Sequence, residues 1–306
     1  MLTLLERPPR NAVVAIAPAA RAVVSWNASA PSGELALIAH YADGTRSAPL
    51  RYVRWSPAER RSLDGADGPT RIAVDIVRSE TPLHAIEVVD DLALDALAVA
   101  VPPPDDARAP ALERTPALDV PQLSQYLAGY PHERGWCSAA ALTMLLRFHG
   151  IDAGVDETAR AVYDASYGGT GNWTFNVAYA AKRGLCAAVA YLAGLDHAAA
   201  FVAAGLPVAL SISWQPGELP GAPLEYSDGH LVVLRGVEPD AALVNDPAHP
   251  QVAVRYPREA LDRVFRSHGG VAYLIARRSR TAELVTLANI VAAPDRPAPT
   301  EAGSRY

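Results

Sequence analysis

"GWCSAAALTMLLRFHG", Gly135 to Gly150, decides how this 306-residue chain is read. A Trp-Cys pair leads into small residues, then into a nearly continuous apolar run over Ser138–His149, and Gly150 closes it. This is the pattern of a mostly buried helix with a glycine C-cap. Cys137 stands at its start, where unpaired backbone N–H groups and the helix dipole favour an anion, here a thiolate. The same N–H groups can donate to the oxyanion formed when a carbonyl is attacked. Ser138, Ala139 and Ala140 leave room beside the sulfur. The competing reading is an inert buried thiol, since free cysteines are among the most buried residue types.

A thiolate nucleophile needs a base, and the base needs an orienting group. Eight histidines are available. His149 sits a helix length away and points elsewhere, and His132 lies in the preceding loop, where a histidine is usually solvated. His230, in "YSDGHLVVLRGV", follows a glycine that opens access and precedes a strand that would hold it rigidly. "ALVNDPAHP" places Asn245 and Asp246 at the end of the expected neighbouring strand, so a hairpin can set a carboxylate beside the imidazole. Otherwise His230 is a solvated strand-start histidine and Asp246 a turn cap before Pro247. Gln125, in "VPQLSQY", can donate a second oxyanion hydrogen bond across a loop, with Gln122 as competitor. Cys186, entering an apolar strand, reads as core.

Further outward the pattern changes twice. Residues 12–101 hold seven or so short β segments, among them "RAVVSWNAS", "GELALIAHYADG", "RIAVDIVRS" and "HAIEVVDD", cut by Gly, Pro, Asp and Ser. They predict an antiparallel sandwich. Trp26 and Trp55 there fill its core or line a glycan- or peptide-binding face. "VPPPDDARAPALERTPALDVPQ", Val101–Gln122, reads as a linker, with the boundary near 110. Residues 111–280 read as mixed α and β. "DETARAVYDAS" is a second helix, and "GNWTFNVAYAAKRGL" a third with Asn172 as N-cap and Gly184 as stop. "DHAAAFVAAG" and "PREALDRVFRS" are further helices among the strands "PVALSIS", "HLVVLRG", "AALVND", "VAVRY" and "GVAYLIAR". Residues 281–306 read as a tail, disordered at its end.

The order Gln, Trp-Cys-Ser at a helix start, Gly-His opening a strand and Asn-Asp-Pro ending the next resembles the papain-like cysteine peptidases. Within them it is similar to the bacterial peptidase C-39-like family, related to the bacteriocin-leader-processing peptidases. "VPQLSQY", "GWCSAAALTMLL", "YGGTGNWTFNVAYAAKRGL", "AGLPVALSI", "GHLVVLRGV", "VNDPA" and "YPREALDRVF" carry the likeness over about 120–277. The small-residue run after Cys137 lacks the Gly-Pro often found there in the family.

The resemblance implies an α+β fold, with N-terminal helices packed on a C-terminal antiparallel sheet, preceded by an all-β sandwich-like region. It implies Cys137 as nucleophile, His230 as general base, Asp246 as orienting acid and Gln125 as oxyanion donor. The reaction is then amide or peptide hydrolysis through a thioester, with no metal or organic cofactor. An amine or thiol acceptor would make the same acyl-enzyme an acyltransferase or transpeptidase. A non-catalytic peptide- or glycan-binding module on this shell is the third reading. The loops "YGGTGNWTF" (Tyr167–Phe175) and "SWQPGELPGAPLEYSDG" (Ser213–Gly229) are the expected cleft rims, with Trp136, Trp173 and Trp214 as candidate substrate contacts.

Composition narrows the partners. The net charge of −6 argues against nucleic acid, and no stretch is apolar enough for a membrane span. Two cysteines in unrelated contexts make neither a disulfide framework nor a metal motif. "MLTLLERPPRNAVVAIAP" is a poor signal peptide, so a cytoplasmic chain is expected, or an exported one if the N-terminus is incomplete, as many relatives are.

Overall fold

A computed structural model of the chain describes all residues except 29, 31, 57, 91–92, 131–134 and 292–306. His132 and the end of the expected tail fall outside the described residues. The first hundred residues form β1 (Leu2–Glu6), β2 (Ala12–Ala28), β3 (Gly33–Tyr41), β4 (Leu50–Trp55), β5 (Arg60–Ser62), β6 (Ala66–Asp67), β7 (Thr70–Ala73), β8 (Ile76–Asp90) and β9 (Leu94–Ala100). Hydrogen bonds join them into one antiparallel sheet, β1-β9-β2-β8-β3-β4-β5 with β7 and β6 beyond β8, rather than two separate ones. Two strands are longer than the sequence suggests, because prolines expected to end strands sit in irregularities instead. Pro18 falls where the β2–β8 register shifts, with Pro82 beside the break on β8. A proline cannot donate to the ladder, so pairing stops and then resumes.

"RIAVDIVRS", expected as one strand, is two. β7 and β8 pair Ala73 with Ile76 across a two-residue turn of Val74 and Asp75. Val74 adopts φ of +59°, in the left-handed region, which a β-branched residue rarely enters. The compensation is tertiary and is described below.

The remainder is built from α1 (Cys137–Phe148), α2 (Val155–Val162), α3 (Trp173–Lys182), β10 (Leu185–Tyr191), α4 (Leu195–Ala203), β11 (Val208–Trp214), β12 (Ser227–Val237), β13 (Ala241–Asn245), β14 (Ala253–Pro257), α5 (Arg258–Ser267), β15 (Val271–Arg277) and α6 (Thr281–Ala288). Its six-stranded antiparallel sheet runs β10-β15-β11-β12-β13-β14. Asn172 caps α3 as expected, accepting from the N–H groups of Thr174 and Phe175 at 3.1 Å each. The segment expected as tail begins instead as helix α6, with Leu284 fully buried. Among the described residues no helix is long and apolar enough to cross a membrane.

The linker is pinned to the second sheet. Thr115 N–H donates to Val237 O at 3.0 Å and Leu118 N–H to Arg235 O at 2.7 Å. Gly236 sits at the bulge between, where a Cβ would stand 2.9 Å from Leu243 Cδ1 and 3.3 Å from Ala117 Cα.

One hydrophobic core runs through both sheets. Trp26 and Trp55 are 0 % and 3 % exposed, so they are core and offer no glycan-binding face. Trp26 stands edge-on to Tyr52, Trp55 and Phe175 of α3 at 6.0–6.3 Å between centroids. The outer edge of β10 is met by side chains of β2: Ser25 Oγ accepts from Val189 N–H, and the Asn27 carboxamide pairs with Ala187 N–H and C=O. Edge groups that would otherwise be orphaned are thereby satisfied.

Candidate active site

Cys137 is the first residue of α1, and none of the Ser138–Leu146 side chains behind it is exposed. His230 lies on β12, paired with Ile212 of β11, and Asp246 follows the last residue of β13. The bulge between Leu234 and Gly236 intervenes, and the hairpin still returns Asp246 to His230. His230 Nε2 donates to Asp246 Oδ1 at 2.7 Å, and both residues are buried. With Nε2 occupied, Nδ1 is the ring nitrogen left for Cys137, with which His230 is hydrogen-bonded. Asp246 is itself held by Ala248 N–H at 2.9 Å and by the Tyr256 hydroxyl at 2.6 Å.

Burial works against charge on all three groups, and their mutual contacts reverse it. Burial alone would raise the Cys137 thiol, but the hydrogen bond and charge of His230, with the N–H groups of Leu231 and Ser138, bring it below an ordinary thiol. Burial would lower His230, but Asp246, and then Cys137, push it up to about 10. Asp246 stays below the usual carboxylate range: burial opposes this, and His230, Tyr256 and the Ala248 N–H outweigh it. The arrangement favours a thiolate facing an imidazolium. Cys186, by contrast, is raised by burial, as a core thiol should be.

Gln125 is placed through its backbone, its N–H donating to Pro247 O at 2.9 Å, one residue from Asp246. Its carboxamide oxygen is buried without a hydrogen-bond partner. Gln122 is exposed. Asn245 stands apart from this series: its amide donates to Val120 O and Pro121 O, fixing the stretch of chain that leads to Gln125.

The three tryptophans separate. Trp173 lines a cleft of about 680 Å³ together with Cys137. Trp214 is 2 % exposed, edge-on to His230 at 5.6 Å, with its indole N–H on Leu224 O, so it walls the imidazole instead of stacking on a substrate. Trp136, at the N-cap of α1, packs on the Tyr130 ring at 5.1 Å and faces a different depression, beside Arg60 and Tyr163. His149 bonds Ile275 O, away from the site.

Both expected rims line the cleft, through Tyr167–Gly171 and through Asp228 and Gly229. The first rim is organised by Asp164, fully buried, which accepts from Ser62, Ser166 and Tyr167 N–H and from the Asn172 amide. Thr170 then ties it to α1, its hydroxyl donating to Gly135 O and meeting Ser138 Oγ at 2.9 Å.

A third wall is unexpected: Ala73, Val74, Asp75, Ile76 and Arg78, from the turn of β7 into β8. Asp75 Oδ2 accepts the Trp173 N–H at the start of α3 at 2.7 Å, which docks the N-terminal sheet against the cleft and compensates the strain at Val74. Burial raises Asp75 to about 7. Asp75, Asp164 and Tyr256 all escape sequence reading. Only Asp164, ahead of "SYGG", carries a local signal, that of an Asx turn.

A helix N-terminus and two antiparallel strands thus hold a cysteine, a histidine and an aspartate in one hydrogen-bonded series. The chain belongs to the Peptidase_C39 like family, whose model matches residues 117–273 and leaves the N-terminal sheet outside. Among solved structures it is similar to a C39-like peptidase from Bacillus anthracis, at 18 % identity over 55 % of this chain and 99 % of that one, TM-score 0.44. A double glycine motif protease from an AMS/PCAT transporter, in complex with the leader peptide, matches at 20 % over 54 % and 97 %, TM-score 0.36. The peptidase domain of Streptococcus ComA, a bi-functional ABC transporter involved in quorum sensing, matches at 18 % over 51 % and 98 %, TM-score 0.37. Among curated proteins no relative matches.

Proposed function

We propose that the protein is a papain-like cysteine hydrolase of peptide or other amide bonds. The observation that carries the reading is the buried hydrogen-bonded series Cys137–His230–Asp246, with Tyr256 behind it. The Cys137 thiolate attacks the substrate carbonyl carbon. The resulting oxyanion is held by the Cys137 N–H, which has no intrahelical partner at this position, and by the Gln125 amide. His230 gives its proton to the leaving amine as the C–N bond breaks, leaving a thioester on Cys137. His230 then takes a proton from water, which attacks the thioester and releases the acid and the thiolate. Asp246 holds the imidazole ring and stabilises its protonated form.

Iodoacetamide labelling across pH, read by peptide mapping on wild type and His230→Ala, tests the pair. The expected result is alkylation of Cys137 well below pH 8 in wild type, moving toward an ordinary thiol's value of about 8.5 in the variant. An inert Cys137 in the folded protein, or a profile unchanged by His230→Ala, removes the reading. Cys137→Ser is expected to abolish turnover of any peptide that wild type cleaves.

A further inference from the structure

Arg71 of β7, Arg78 of β8 and Arg21 of β2 stand directly opposite one another across three adjacent strands. Residues so paired share one face of the sheet, about 5 Å apart, and like charges there destabilise the pairing. Among the described residues none of the three has an ion-pair partner. Arg21 is fixed over the Tyr191 ring at 5.4 Å. Arg71 and Arg78 are exposed. Of the nearby carboxylates, Asp75 points to the Trp173 N–H, Asp228 lines the cleft on the β12 side, Asp105 shares a depression with Arg21 without an ion pair, and Glu80, next on the same face as Arg78, pairs with none of the three.

The middle of the row reaches the cleft. Arg78 lines it with Cys137, and His268 lines it as well. Arg21 lies beyond it, in a neighbouring depression lined also by Asp105 and Arg266, its guanidinium 3.6 Å from the Cβ position of Gly269. Repulsion kept beside a substrate cleft, in a chain of net charge −6, calls for an anion from outside. We propose that Arg78, with Arg71 and Arg21 beside it, forms an anion subsite at one end of the Cys137 cleft, and that the peptides processed there dock a carboxylate on it. The choice of substrate rests on the peptidase reading; the subsite itself does not. An acidic side chain and a free peptide C-terminus offer the same chemistry.

A library of dodecapeptides, half with free and half with amidated C-termini, is incubated with wild type, Arg78→Gln and Arg78→Glu, and cleavage sites are read by mass spectrometry. Wild type is expected to favour Asp or Glu over Gln at one fixed distance from the cleaved bond by about fivefold, the size of one exposed charge contact. Arg78→Gln loses the preference and Arg78→Glu turns it toward Lys and Arg. If the carboxylate is terminal, cleavage instead keeps a fixed distance from the C-terminus and vanishes with amidation. Cleavage without acid preference, or with a preference both variants keep, overturns the proposal. The same library is passed over immobilised Cys137→Ala with and without Arg78→Glu, a readout that needs no turnover. Selective retention of acidic peptides by the Arg78 protein supports the subsite even if the hydrolase reading fails, and equal retention by both overturns it.

Discussion

Asp246 accepts three hydrogen bonds, and the one from Tyr256 comes from a side chain no triad pattern would name. Tyr256→Phe leaves Asp246 Oδ2 buried without that donor. The expected loss is about 1–3 kcal/mol of stability, read as a shift in urea midpoint, with Cys137 still reactive. The pair itself predicts a bell-shaped kcat/KM. Activity is expected to rise as the Cys137 thiol ionises, below an ordinary thiol's pH, and to fall near pH 10 as His230 loses the proton that the proposed mechanism passes to the leaving amine. Asp75 acts in a separate window. Its carboxyl is raised to about 7, so between about pH 4 and 7 the native state holds a proton that the unfolded chain has released. Stability therefore falls as pH rises through that range, by on the order of 4 kcal/mol at 1.36 kcal/mol per unit. Asp75→Asn keeps an oxygen for the Trp173 N–H and removes the ionisation. Its urea midpoint is expected to lose this fall across that range and to lie above wild type at pH 8.

At the scale of elements, the turn between β7 and β8 is the informative case. Val74 in a left-handed conformation carries a penalty of roughly 1–2 kcal/mol. Val74→Asn, with a residue that tolerates this conformation, is expected to raise the melting temperature by a few degrees and to alter KM, because Val74 lines the cleft. The sequence could not reveal this turn. "RIAVDIV" alternates like an uninterrupted strand, and Val-Asp is not the Asn-Gly type of pair that announces a hairpin. What bends it is the contact of Asp75 with a helix start nearly a hundred residues away. Elements fixed by local chemistry were readable: α1 from its apolar run and Gly150, α3 from Asn172, α5 from its proline start. Cys137, His230 and Asp246 were singled out as candidates from their local settings, and the structure brings His230 and Asp246 together across the β12–β13 hairpin and His230 to Cys137. Trp136 and Trp214 show the limit, because residue type does not tell which face of the chain a ring will take.

For the whole molecule, the decisive fact is the shared core. The family match begins at residue 117, yet α3 and β10 bury their outer faces against β2 through Phe175, Ala187 and Val189. Heating is therefore expected to give one cooperative calorimetric transition, and a fragment of residues 111–291 to aggregate or bind a hydrophobic dye. Trp26→Ala tests the joint from inside, with an expected loss of about 3–5 kcal/mol. A further contact joins β1 to the residue after α6: Leu2 N–H donates to Asn289 Oδ1 and Leu2 C=O accepts from Asn289 Nδ2, each at 2.9 Å. During synthesis on the ribosome the N-terminal sheet emerges first, but its helix-facing side waits for α3 and β10, and this clasp closes only when residue 289 has left the exit tunnel. The nascent chain thus carries an unfinished apolar face from the emergence of β9 to that of β10, and a chaperone that recognises such faces should engage it longest over that interval.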